Sequence, residues 1–118
     1  MKKYIVLSGM SMIIFAIACK KDSGSGGGGG GVQIDCNTVT FSGNIGPLIA
    51  SRCTNAGCHD ASSTNGPGPL TSYAAVFASR FSIQSAVNTN RMPQGGPFLS
   101  DVEKARIKCW IDAGAPNN

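Results

Sequence analysis

The sequence predicts an all-α domain of three or four short helices joined by long loops. Apolar residues at Ile45, Leu48 and Ile49 follow the i, i+3, i+4 spacing of a buried helix face. Helix start and stop signals frame the segment between Ser100 and Gly114, and no stretch alternates as a strand does. Long loops in so small a domain indicate that the chain folds around something else.

The first helix is expected over residues 45–52. Pro47 suits its first turn, where the missing amide proton of proline costs nothing. The following segment "TNGPGP", residues 64–69, is rich in glycine and proline and predicts a loop.

The middle of the domain contains two short apolar segments. "TSYAAVFASR" predicts a short helix capped by Thr71 or Ser72. The side chains expected on one side of it are Tyr73, Val76 and Phe77. "SIQSAVN" predicts a second short helical piece, whereas the prolines and glycines of "NRMPQGGPF" exclude regular structure there.

The last helix carries the clearest local signals. Ser100 followed by Glu103 forms a capping box, and Asp101 lies in the first turn, where the helix dipole favours an anion. Gly114 ends the helix and Pro116 follows. The side chains expected on its buried side are Val102, Ala105, Cys109, Trp110 and Ile111.

The N-terminal residues predict export rather than folded structure. Residues 1–18 combine two lysines with a short apolar run, as in a signal peptide, and end in small residues before Cys19. This end resembles the lipobox of bacterial lipoproteins, which implies lipidation of Cys19 and a membrane anchor. Residues 19–31 then form a glycine-rich tether, and residues 32–118 form the domain. We expect a lipid-anchored protein of the cell envelope, periplasmic or at the outer membrane; Lys20 after the cysteine favours the outer membrane.

The charge of the domain argues against a nucleic-acid partner. From Val32 onward, six basic side chains stand against five acidic ones, so the net charge of +4 lies mostly outside the domain. Nucleic-acid binding requires a basic patch or stripe that this domain lacks.

The segment "CTNAGCHD" places two cysteines and the chain's only histidine within a few residues. A zinc site is disfavoured, because the adjacent Cys58 and His59 point in different directions and structural zinc ligands are usually spaced apart. A plain disulfide framework is a second interpretation, since the four cysteines after Cys19 allow three pairings among which sequence alone does not choose. Covalent haem attachment is the third.

Covalent haem accounts for more of the sequence. Two thiols attach the haem and the histidine after the second reaches the iron; the usual spacing is C-x-x-C-H, and here it is two residues longer. Gly57 eases the turn before the second thiol. An electron-carrying haem needs a second axial ligand, usually Met or His. Met92 is the only methionine after the signal peptide, and it lies in a loop followed by Pro93.

The order of these segments is similar to that of the small monohaem class I cytochromes c, over about residues 39–116. Cys58-His59, Met92-Pro93 and the C-terminal "WIDAGAP" carry the resemblance. It implies a small cytochrome c-like fold of three to four short helices with long loops around one covalently bound haem c. The haem would lie in a cleft between the helix of the first cysteine and the C-terminal helix. Cys53 and Cys58 would be the thioether attachments, His59 the proximal ligand and Met92 the distal ligand.

With Cys53 and Cys58 assigned through this resemblance, Cys36 and Cys109 are the remaining pair. We expect a disulfide between them that ties the start of the domain to its last helix. Arg91, Tyr73 and Trp110 are further candidates for residues that line the haem.

The resemblance implies a membrane-tethered electron carrier with exported redox proteins as donor and acceptor. No catalytic constellation is visible in the sequence, so we expect no enzyme activity. Two alternatives stay open at this point. One is a haem-free, disulfide-stabilised helical interaction module of a lipoprotein. The other is a gas sensor or peroxidase-like protein in which Met92 yields its position to a small molecule.

Overall fold

The computed structural model describes residues 32–118, and these residues form an all-helical domain. Its three α-helices are α1 (Gly46–Arg52), α2 (Tyr73–Asn88) and α3 (Asp101–Asp112). A 3₁₀ turn (Cys36–Thr38) and a π-helical turn (Phe41–Ile45) precede them. The expected all-α class is therefore confirmed for the described residues, which contain no strand. The expected signal peptide, Cys19 and tether lie outside these residues.

The helix expected over residues 45–52 is present, and the π-helical turn extends it toward the N-terminus. Pro47 lies in its first turn, as expected, and the side chain of Thr40 accepts a hydrogen bond from the Gly43 amide at the start of the π-helical turn. Ile45 and Ile49 are almost fully buried in the core. Phe41 to Arg52 is thus one continuous helical segment that leads directly into Cys53.

Helix α2 is a single helix where the sequence predicts two short pieces. The Ser72 hydroxyl caps its start by accepting a hydrogen bond from the Ala75 amide, 3.3 Å away. No proline or glycine interrupts the chain before Asn88, and the Arg80 guanidinium lies 4.1 Å from the Phe77 ring centroid and 4.4 Å from that of Phe81. These contacts cover the junction of the two predicted pieces, and the helix continues through it.

Helix α3 begins with the expected capping box, in which the Glu103 carboxylate accepts a 2.7 Å hydrogen bond from the Ser100 amide. Its buried face differs from the predicted one. Ile107 is 2 % exposed and belongs to the core together with Cys109 and Trp110, whereas Val102, Ala105 and Ile111 are only half-buried. The prediction is thus confirmed at Cys109 and Trp110, but it left out Ile107, whose place on the core side depends on how tertiary packing rotates the helix. Gly114, with φ of 90°, ends the helix as expected.

The core joins α3 to α2 and to the π-helical turn. Trp110 is 1 % exposed, and its ring centroid lies 5.6 Å from that of Phe41 and 6.5 Å from that of Tyr73. The indole Nε1 donates to the Pro116 carbonyl at 2.9 Å, and the Tyr73 hydroxyl donates to the Ala115 carbonyl at 2.9 Å. These bonds satisfy the polar ends of both side chains inside the core.

A disulfide joins Cys36 to Cys109, with 5.2 Å between the two Cα atoms. This is consistent with the expected pairing, and it ties the segment before the π-helical turn to the buried face of α3. Cys53 and Cys58 are free thiols. Within residues 32–118, no helix has both the length and the apolar content needed to cross a bilayer.

Candidate functional site

The two free cysteines flank a small closed loop that follows α1. The His59 amide donates to the Cys53 carbonyl at 3.0 Å, and inside the loop the Cys58 amide donates to the Asn55 carbonyl at 2.9 Å. Gly57 has φ of 79°, a left-handed conformation that glycine adopts without strain. The longer spacing between the cysteines is thus taken up as an outward bulge, and the chain returns to the end of α1 at His59.

His59 is held in one orientation at the base of this loop. It is 7 % exposed, and its Nδ1 lies 3.0 Å from the Gly68 carbonyl oxygen. Because a carbonyl oxygen only accepts, Nδ1 carries a proton, and in the neutral ring Nε2 is then the nitrogen with a lone pair. Metal-binding histidines use the same arrangement, in which one ring nitrogen donates to a carbonyl and the other faces the metal.

The Cys53–Leu70 segment faces α2 across a cavity of about 410 Å³. A second cavity of about 420 Å³ lies on the side of the closed loop of residues 53–59 and of the loop of residues 91–96, the Met92 loop. The two share four lining residues: Cys53, His59, Gly66 and Met92. Each volume falls within the roughly 300–1,000 Å³ typical of cofactor sites. The α2 wall of the first cavity is mainly apolar, with Ile83, Ala86 and Val87 beside Ser82, and Leu70 adds an apolar side chain from the facing segment.

Met92 reaches this space from a loop that leaves the C-terminal end of α2. The amides of Arg91 and Met92 both donate to the Ala86 carbonyl, at 2.9 Å and 3.1 Å. The loop then turns through Gly95 and Gly96, both with positive φ. Met92 is half-buried and lines both cavities, so it faces the same space as Cys53 and His59.

The structure brings most, but not all, of the predicted site residues together. Cys58 lines only the second cavity and is exposed, and Arg91 lines only the first. Tyr73 and Trp110 line neither; their hydrogen bonds place them in the core instead. The cavities also differ from the expected cleft, because α2 and the Met92 loop form the wall opposite His59 and no residue of α3 lines either of them.

The two thiols differ in their surroundings. Burial, partly offset by the positive charge of Arg52, raises the pKa of the Cys53 thiol to about 11. A thiol with a high pKa stays protonated and reacts slowly in disulfide exchange. The Cys53 thiol is therefore expected to stay protonated near neutral pH, while Cys58 lies at the exposed rim.

Sequence reasoning missed several residues that form the site. The Gly68 carbonyl orients His59, yet it lies in an irregular loop whose path no periodicity predicts. Ile83 and Val87, in contrast, stand four residues apart, a spacing that would have marked this face of α2 if the helix had been predicted as continuous.

The residues around these cavities fit a covalently held haem. They provide two free thiols, an imidazole with an available Nε2, a thioether and an apolar wall, which are the groups that c-type attachment and His/Met ligation use. Within residues 32–118, no three side chains of His, Cys, Asp or Glu are grouped as ligands of a metal ion. Comparisons with protein-family models, curated proteins and solved structures find no significant match.

Proposed function

We propose that this protein is a membrane-tethered monohaem c-type cytochrome that carries electrons between exported redox proteins. The observation that carries the proposal is the convergence of Cys53, His59 and Met92 on one partly apolar space. Met92 lies 33 residues after His59 in the sequence and comes from a different loop than the segment that holds Cys53 and His59. In this proposal the domain is a cytochrome c-like fold with one haem c, which would lie between the Cys53–His59 segment, α2 and the Met92 loop rather than against α3.

The cysteines attach the cofactor. The S–H bond of each thiol would add across one vinyl group of the haem, so that sulfur bonds to one vinyl carbon, the other carbon gains the hydrogen and no atom is lost. Cys53 lies at the half-buried end of α1 and Cys58 at the exposed rim of the loop. One attachment is therefore deep and the other shallow, and the bulge at residues 54–57 sets the separation between them.

His59 and Met92 would be the two protein ligands of the haem iron. His59 presents Nε2 because its Nδ1 proton is held by the Gly68 carbonyl. Met92 presents a neutral thioether, which raises the reduction potential relative to a second nitrogen ligand. The apolar side chains of Leu70, Ile83 and Val87 exclude water from the inner side of the space.

When bound, haem supplies an iron centre that accepts and releases one electron. With His59 and Met92 both holding the iron, no site would be left open for a substrate, so the proposal makes the protein a carrier and not an enzyme. The electron comes from one exported redox protein and goes to another. The expected lipid on Cys19 and the tether of residues 19–31 would hold the domain at the membrane and let it move between the two.

The experiment is a redox titration of the full-length chain produced in an exporting host with cytochrome c maturation machinery. We expect a single reversible one-electron transition and no rapid uptake of carbon monoxide by the reduced protein. Rapid carbon monoxide binding would instead support the gas-sensing alternative. A folded protein that carries no haem would contradict the proposal and leave the disulfide-stabilised interaction module, which the Cys36–Cys109 bond favours.

A further inference from the structure

Arg52 connects the cysteine segment to the Met92 loop. It is the last residue of α1 and directly precedes Cys53. Its Nη2 donates to the Pro97 carbonyl at 3.2 Å and to the Phe98 carbonyl at 3.1 Å. Both carbonyls belong to the chain that leaves the Met92 loop, so one side chain joins the two segments that line the candidate site.

The Met92 loop has a separate anchor at each end. At its start, the Met92 amide is bound to the Ala86 carbonyl of α2. At its end, the hydrogen bonds from Arg52 precede Leu99, which is buried in the core. Between these points, the Gly96 amide donates to the Pro93 carbonyl at 3.2 Å. The anchor on α2 ties the loop to the opposite wall of the first cavity, whereas the anchor on Arg52 ties it directly to the residue that precedes Cys53.

The guanidinium of Arg52 is itself held in place by Glu103. The Nε atom lies 3.7 Å from the nearer Glu103 carboxylate oxygen, which is an ion-pair distance but too long for a hydrogen bond. Burial raises the pKa of the Glu103 carboxyl, but hydrogen bonds from Ser100 and the charges of Arg52 and Arg106 outweigh it and hold the pKa below its usual range. Glu103 is therefore charged near neutral pH and directs Arg52 toward the loop.

Loss of Arg52 is not expected to unfold the domain. Its Nε is buried without a hydrogen-bond partner, which is a cost to the folded state that an apolar side chain would not carry. The two carbonyl bonds lie at the surface, where water replaces the arginine. An effect of this side chain would thus appear in the placement of the loop rather than in folding.

We propose that Arg52 is a positioning residue that fixes the Met92 loop against the cysteine–histidine segment. The placement of the loop is a property of the chain alone. Its consequence, that Met92 stays on a bound haem instead of yielding its position, rests on the proposed function.

The first test is amide hydrogen exchange of the haem-free, full-length chain, read at Gly96. The variants are Arg52→Met and Arg52→Lys, with Arg106→Met as control, because Arg106 is exposed, also lies near Glu103 and has no hydrogen bond to the loop. Loss of charge-assisted hydrogen bonds in Arg52→Met should speed exchange by roughly tenfold. The exchange rate at Gly96 in Arg52→Lys should lie between those of Arg52→Met and the wild type, and the rate in Arg106→Met should match that of the wild type. Equal exchange in Arg52→Met and Arg106→Met would overturn the inference.

The second test uses the haem-loaded protein and the rate of carbon monoxide binding to its reduced form. Arg52→Met should bind carbon monoxide several times faster than Arg106→Met and the wild type, because its Met92 is less firmly placed. Unchanged exchange and unchanged binding in a haem-loaded protein would reject the role of Arg52 and leave the proposed function intact. Faster exchange at Gly96 in Arg52→Met than in the wild type, in a protein that never acquires haem, would support the positioning role of Arg52 and reject the proposed function.

Discussion

Replacing Met92 by alanine should lower the midpoint potential of the haem-loaded protein by about 0.1 V or more, since axial ligands set haem potentials over a range of about 0.8 V. Alanine has no sulfur and is too short to reach across the cavity that Met92 lines. The same variant should take up carbon monoxide rapidly when reduced, because one axial position is open. Redox titration and carbon monoxide mixing measure both effects.

The matched control for Met92→Ala is Val102→Ala. Val102 is also half-buried and apolar, but it lies on α3 and lines neither cavity. It should keep the wild-type potential and resist carbon monoxide, even if the domain loses some stability. A Met92→Ala protein with the potential of Val102→Ala and no carbon monoxide uptake would show that Met92 is not a ligand.

Replacing both Cys36 and Cys109 by alanine should lower the free energy of unfolding by about 2–4 kcal/mol, as is typical for loss of a disulfide. The bond closes a long loop, with a sequence separation of 73, and it holds the start of the domain on α3. A domain of this size has little other stability to lose. Urea denaturation of the haem-free chain under non-reducing conditions measures the change.

Cys58→Ala is the matched control for the disulfide. Cys58 is an exposed free thiol in a surface loop, so its loss should leave the unfolding midpoint of the haem-free chain almost unchanged. Equal midpoints for the Cys36→Ala/Cys109→Ala protein and the control would mean that the disulfide contributes nothing to the fold.

Local signals allowed the helix ends to be predicted. Three local signals mark these ends: the capping box of Ser100 and Glu103, the proline in the first turn of α1 and the glycine after α3. Each acts within a few residues, so the neighbouring sequence is enough to predict where the helix begins or ends. The sequence analysis predicted two helical pieces instead of the single helix α2. The contacts of Arg80 with Phe77 and Phe81 lie where the two pieces meet, and helix propensities do not reveal such side-chain contacts. The buried face of α3 was misjudged because tertiary packing selected Ile107 over Val102 and Ala105.

The candidate site was predictable only in its chemistry. Two cysteines beside the only histidine, with one methionine in a later loop, made haem attachment one interpretation among several before any geometry was known, and it stays a prediction. Their supports were not predictable: Gly68 holds His59 through a backbone carbonyl, and Arg52 holds the Met92 loop through two more. Any residue type offers a backbone carbonyl, so the sequence does not distinguish these partners.

The mass of one tryptic peptide tests covalent haem attachment most directly. Cleavage after Arg52 and Arg80 releases the peptide Cys53–Arg80, which contains both free cysteines and His59. From the matured, denatured protein, this peptide should be heavier by one haem, and neither thiol should react with an alkylating reagent. The unmodified peptide mass with two alkylated cysteines, recovered from a folded protein, would contradict the account.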